Sequence, residues 1–275
     1  MKRKILKIVA LIIAIAMIVG ICLVANAFCG NPVSKMLARR AAERWLKGSF
    51  PNSDYYIEDV AFNFKDTNYY AHICSESSMD TKFTLYINMF GQGYYDTYES
   101  VTNGFVTAQR VEQEYRELVD QVLNSPAFPY PSVIQFGTLE IFPQEAFDDP
   151  LVTDVPDYAL NQNELVMDQV YDPRDLGARA GHLVIYVDNE VISFDVAAQI
   201  LLEIRSQFDK ANIPFRAIDF VLEYPLSEEG PRPDSDIRVE DFLYEDIYEA
   251  DLADRIAEAD AALKAYYAEL DDKIK

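Results

Sequence analysis

The sequence predicts an α+β protein: an N-terminal transmembrane helix, then two small α+β domains ordered helix, three strands, helix and strand, strand-helix-strand, helix. Three observations carry this. Residues 8–25 hold no charged side chain, three strand-like runs separated by turn residues lie between Tyr56 and Met89, and a strand, helix, strand succession runs from His182 to Tyr224. Prolines 126, 129 and 131 favour an extended connection between the halves. The predicted boundaries are 1–30 for the anchor, 31–125 for the N-terminal domain, 126–131 for the linker and 132–275 for the C-terminal domain.

The anchor follows from length and flanks. Lys2, Arg3, Lys4 and Lys7 precede a run of 18 uncharged residues, which as a helix spans about 27 Å, close to the hydrocarbon thickness of a bilayer. Ala25-Asn26-Ala27 offers a small-x-small cleavage site, but the apolar run exceeds the usual signal-peptide core and favours retention. Lipidation is disfavoured, because Cys22 follows Ile21 and Cys29 follows Phe28 rather than a small residue. Lys35, Arg39, Arg40 and Arg44 nearly balance the basic head in number. The head is denser, which puts the N-terminus in the cytoplasm and the body outside. The expected location is therefore the cell membrane, single-pass, with an extracellular body.

Composition narrows the partners. The net charge is −22, and since residues 1–30 carry four basic and no acidic side chains, the remainder carries −26. Such a surface repels nucleic acid and anionic headgroups. With Cys22 inside the apolar run and Cys29 at its edge, Cys74 is left as a small core residue, so no disulfide framework is expected.

Asn31 and Pro32 are the cap and first residue of a helix running to about Lys47, with Val33, Met36, Leu37, Ala41 and Trp45 at helical steps. Strands follow at 56–64, 69–74 and 83–89, the last alternating strictly. Residues 94–105 resist assignment; 107–123 reads as a helix with Val111, Tyr115, Leu118 and Val122 on one stripe. Residues 133–142 read as one strand, and 143–179, rich in Pro and Asp, as a long loop hiding short elements. Then come a strand at 182–187, a helix started by Ser193 and Asp195 and ended at Asn212, a strand at 215–224, a loop at 228–236, a strand at 237–244, and a helix from about Glu249 to Asp271.

Chemistry is sparse. His72 and Cys74 share a strand face, but a nucleophile also needs an orienting third group, and no GxSxG elbow is present. His182 stands alone in sequence. Asp234-Ser235-Asp236-Ile237-Arg238 lacks the Gly and terminal Glu of a calcium loop, and Asp148, Asp149, Asp154 and Asp157 read as a solvated acidic loop. A carboxylate-pair glycosidase needs only two facing acids, but nothing selects a pair among 46. No catalytic, cofactor-binding or metal-ligating residue is nominated, and no cofactor.

Several stretches resemble the YfjL-like family of bacterial membrane-anchored proteins: Gly30-Asn31-Pro32-Val33-Ser34-Lys35 after the apolar segment, Phe50-Pro51, Asp80-Thr81-Lys82-Phe83, Phe208-Asp209-Lys210 and Asn212-Ile213-Pro214-Phe215. The resemblance implies a single-pass anchor and an extracytoplasmic two-domain body, and brings no catalytic residue with it. The leading expectation is a non-enzymatic interaction module with a protein partner; the alternatives are a carboxylate hydrolase of envelope polymers and a cation-responsive surface protein.

Overall fold

The computed structural model describes residues 2–152, 155–226 and 235–274; side chains at 2–10, 22–23, 26–27, 29, 271 and 273–274 lie outside that description. The chain forms two compact α+β units, residues 1–106 and 107–275.

The first unit begins with α1 (Lys2–Cys29), followed by α2 (Pro32–Ser49), a four-stranded antiparallel meander and a short α3 (Glu99–Thr102). The strands are β1 (Tyr55–Asn63), β2 (Asn68–Ser75), β3 (Lys82–Ile87) and β4 (Gly93–Asp96). Asn31 starts α2 as expected, its side chain accepting the Ser34 N–H at 2.8 Å. The buried stripe of α2 differs from the expected one. It is Ala38, Ala41, Ala42 and Leu46, while Val33, Met36 and Leu37 are exposed. The small alanines let the helix approach Ile57, Ala71, Ile73 and Leu85 of the sheet closely. β4 was not expected: it is the pairing of Asp96, Tyr95 and Gly93 with Leu85, Tyr86 and Ile87 that makes this short aromatic stretch a strand.

The second unit is built on a four-stranded sheet ordered β10-β9-β8-β5. β5 (Gln135–Leu139) runs antiparallel to β8 (Gly181–Asp188), β8 parallel to β9 (Ala217–Glu223), and β9 antiparallel to β10 (Ile237–Leu243). Between β8 and β9 runs α7 (Phe194–Ala211), capped by the Ser193 side chain and ended by Asn212 in the left-handed region. The closing helix α8 (Leu252–Ile274) starts later than expected and buries Leu252 and Ile256. The single strand expected over 133–142 is interrupted at Glu140, with β6 (Ile141–Phe142) pairing instead with β7 (Leu160–Asn161). The segment 143–179 does hold short elements, α5 (Gln144–Asp148), β7 and α6 (Pro173–Ala180). Most of the loop expected at 228–236, including Asp234, lies outside the described residues, as does Asp154.

The boundary between the units falls at Val106/Thr107 rather than after residue 125. Helix α4 (Phe105–Leu123), expected to close the first domain, buries Val111, Tyr115, Val119 and Leu123 in the second core. The proline-bearing 126–131 segment is no free linker, because Phe128 is buried in that same core and Tyr130 packs against it. Among the described residues, no helix is long and apolar enough to cross a membrane, so the expected transmembrane helix is not established by the structure.

Candidate functional site

On the second sheet, Leu183, Ile185 and Val187 of β8 alternate into the core with Ile218, Phe220 and Leu222 of β9. Strand pleating therefore turns His182 and Asp219 to the opposite face, and the pairing of His182 with Ala217 brings them close. Asp241 joins from β10, at a register break between Val239 and Phe242, with backbone φ of 50°. Its N–H donates to Asp219 Oδ1 at 2.8 Å. Glu140 comes from the interruption that ends β5, and Tyr158 from the loop before β7.

Four side chains converge on the imidazole of His182. His182 Nδ1 lies 2.9 Å from the Tyr158 hydroxyl and 3.2 Å from Glu140 Oε1. Its Nε2 lies 3.0 Å from Asp219 Oδ1, and Nδ1 is 3.7 Å from Asp241 Oδ1. The Tyr158 O–H also donates to Asp241 Oδ1. The Nε2–Asp219 approach is an ion-pair distance, but the buried Nε2 makes no aligned hydrogen bond. Only 8% of the His182 side chain is exposed, against 58% for Asp241, which opens into a cleft of about 580 Å³ lined by Pro156, Asp157, Tyr158 and Arg216.

Burial alone would lower the His182 pKa, but the carboxylates of Asp219 and Glu140 beside the ring reverse this and push it up to about 10. Burial, then the Asp241 carboxylate, hold the Tyr158 phenol neutral far above its ordinary range. A histidine kept protonated through neutral pH is a poor general base. What the arrangement can do is hold a cation, and the His182, Asp219 and Asp241 ligand atoms all lie within 4.8 Å of one another.

The pair weighed from sequence, His72 and Cys74, makes no site. His72 bonds Thr84, and Cys74 Sγ faces Glu58 Oε2 at 3.7 Å. Burial, with Glu58 beside it, raises the Cys74 thiol pKa and keeps it unreactive. Asp148 and Asp149 serve local turns, bonding Gln144 and the Leu151 N–H, and Asp236 pairs with Arg238. The one sequence signal for the His182 cluster was Asp219 itself, a carboxylate inside the apolar run of β9.

Matched against models of protein families, residues 5–98 fit the YfjL-like N-terminal domain and residues 114–257 the YfjL-like C-terminal domain. No curated protein and no solved structure matches the chain.

Proposed function

The chain belongs to the YfjL-like family, and from that premise we propose that it is a single-pass membrane protein whose two-unit body is a non-catalytic binding module held outside the cell. One observation carries the anchor. Along α1, Leu11, Ile12, Ile13, Ile15, Met17, Ile18, Val19, Ile21, Val24 and Phe28 are each half or more exposed. Successive helical residues are rotated by about 100°, so these ten positions face nearly all round the helix, and among the described residues none of them belongs to the first core. In water each would forgo about 1.5–3 kcal/mol of burial; in lipid that cost vanishes. The apolar surface continues past the helix. Phe28 stacks on Phe64 at 5.6 Å, and Val33, Met36, Leu37 and Phe90 are also exposed.

A binding rather than catalytic role is supported by the chemistry of the strongest candidates: His182 is held protonated and Cys74 is held as a neutral thiol. The body's surplus of negative charge suits a basic or neutral protein partner.

Alkaline carbonate extraction of expressing cells tests the anchor, and should leave the full chain in the membrane pellet and release a variant lacking residues 2–30. With Cys22, Cys29 and Cys74 replaced by Ser, a Val133→Cys variant, 99% exposed at that position, should react with a membrane-impermeant maleimide in intact cells. Full-chain protein in the carbonate supernatant, or labelling only after lysis, would overturn the placement. Turnover of envelope polymers or peptides by the purified chain would overturn the non-catalytic reading.

A further inference from the structure

We propose that His182, Asp219 and Asp241 form a binding site for a first-row divalent transition ion, Zn²⁺ before Mn²⁺, with Glu140 and Tyr158 orienting the imidazole. The inference goes beyond anchoring and holds whether or not the chain sits in a membrane.

The argument starts from one proton. Tyr158 has a single hydroxyl hydrogen and donates it to Asp241 Oδ1. Its oxygen, 2.9 Å from His182 Nδ1, must therefore accept from an Nδ1–H. Glu140 Oε1, 3.2 Å from the same nitrogen, reinforces that placement. With one ring proton fixed on Nδ1, the second is released as the metal ion takes its place, and Nε2 then presents its lone pair. A carboxylate on Nδ1–H with Nε2 free is the arrangement by which metal-binding histidines are oriented and made more basic.

Nε2 is buried, on a side chain only 8% exposed, and makes no aligned hydrogen bond although Asp219 Oδ1 is 3.0 Å away. Two acceptor atoms that close repel unless a cation joins them. In the metal-free protein a proton on Nε2 is that cation, but it forms no aligned hydrogen bond to Asp219. Donors bound to one metal at about 2.0–2.2 Å stand about 3 Å apart, with both lone pairs aimed at a third point. The 3.0 Å between Nε2 and Asp219 Oδ1 matches that spacing, and the Asp241 ligand atom lies within 4.8 Å of both residues' ligand atoms.

Charge and access agree. Three carboxylates surround one imidazole, so even the protonated cluster keeps a negative excess, and the nearest cation in the cleft, Arg216, is paired with Glu245 at 3.1 Å. A dication offsets that excess. Asp241, at the mouth of the 580 Å³ cleft, supplies the entry path. The donor set selects the ion. One imidazole nitrogen with carboxylate oxygens suits Zn²⁺ or Mn²⁺, whereas Ca²⁺ and Mg²⁺ want oxygen alone, and Zn²⁺ binds such sites more tightly than Mn²⁺.

The full chain, purified in detergent and stripped with EDTA, is titrated with ZnCl₂, MnCl₂ and CaCl₂ by calorimetry and by thermal melting. The expected result is one Zn²⁺ per chain, weaker Mn²⁺, no specific Ca²⁺, and a melting midpoint raised by Zn²⁺. Asp241→Asn should weaken Zn²⁺ at least tenfold; Asp241 is exposed and its positive φ suits Asn, so the fold is kept. Glu140→Gln, on the Nδ1 side of the ring, should cost 10- to 100-fold. Absence of one-to-one Zn²⁺, preference for Ca²⁺, or unchanged Zn²⁺ affinity in both variants would overturn the site; the last would place the ion on surface carboxylates.

Discussion

Glu164 shows how a single exposed carboxylate can tie two segments together. Its side chain accepts the Asn161 N–H at 3.2 Å, completing a capping box, and a bond from Arg179 at 3.0 Å. The Arg179 bond, then the Asn161 N–H, lower its pKa below 4.5 against a small opposing effect of burial. A depressed folded value means that the contribution is present above the unfolded pKa and is lost as pH falls through the folded one. Glu164→Gln should therefore destabilise by less than about 1 kcal/mol at pH 7, since both partners are half exposed. That difference from the parent should shrink below pH 4.5, as read by urea denaturation at several pH values. A pH-independent difference would contradict the linkage.

Among the elements, α4 and α6 meet where side chains are absent by necessity. Tyr115 of α4 is fully buried, and its hydroxyl donates to Pro214 O at 3.0 Å. Gly177 of α6 faces it: a Cβ there would overlap the Tyr115 ring and come within 2.6 Å of Pro214 O. Gly177→Ala should cost about 1–3 kcal/mol by overpacking, seen as a lower denaturation midpoint with little change in slope. A variant as stable as the parent would mean that the two helices can separate freely. Local signals foretold much at this scale. Asn31-Pro32, Ser193 and Asn212 mark helix ends as read, and the alternation of Phe83, Leu85 and Ile87 gives β3. The failures share a cause. The α2 stripe, the β4 strand and the allegiance of α4 are each decided by a neighbour distant in sequence.

At the scale of the whole molecule, the described residues form two separate cores, and the apolar side chains of α1 belong to neither. An acidic body of this size resists association, whereas the exposed side chains of α1 invite it. Without detergent the full chain should form soluble aggregates on size-exclusion chromatography, while residues 31–275 should elute as a single sharp species. Equal behaviour of the two would show that α1 is covered in solution and would remove the physical reason for anchoring.

By itself, the sequence determined the α+β class, the order of most elements and the apolar character of the first helix, because caps, turns and alternation are written within a few consecutive residues. Only the tertiary structure decided that α4 joins the second core and that His182 meets Asp219 and Asp241. Those outcomes depend on which strands pair, in which register, and where β10 breaks step. Pairing energy is shared between distant segments, and no single stretch of chain carries it.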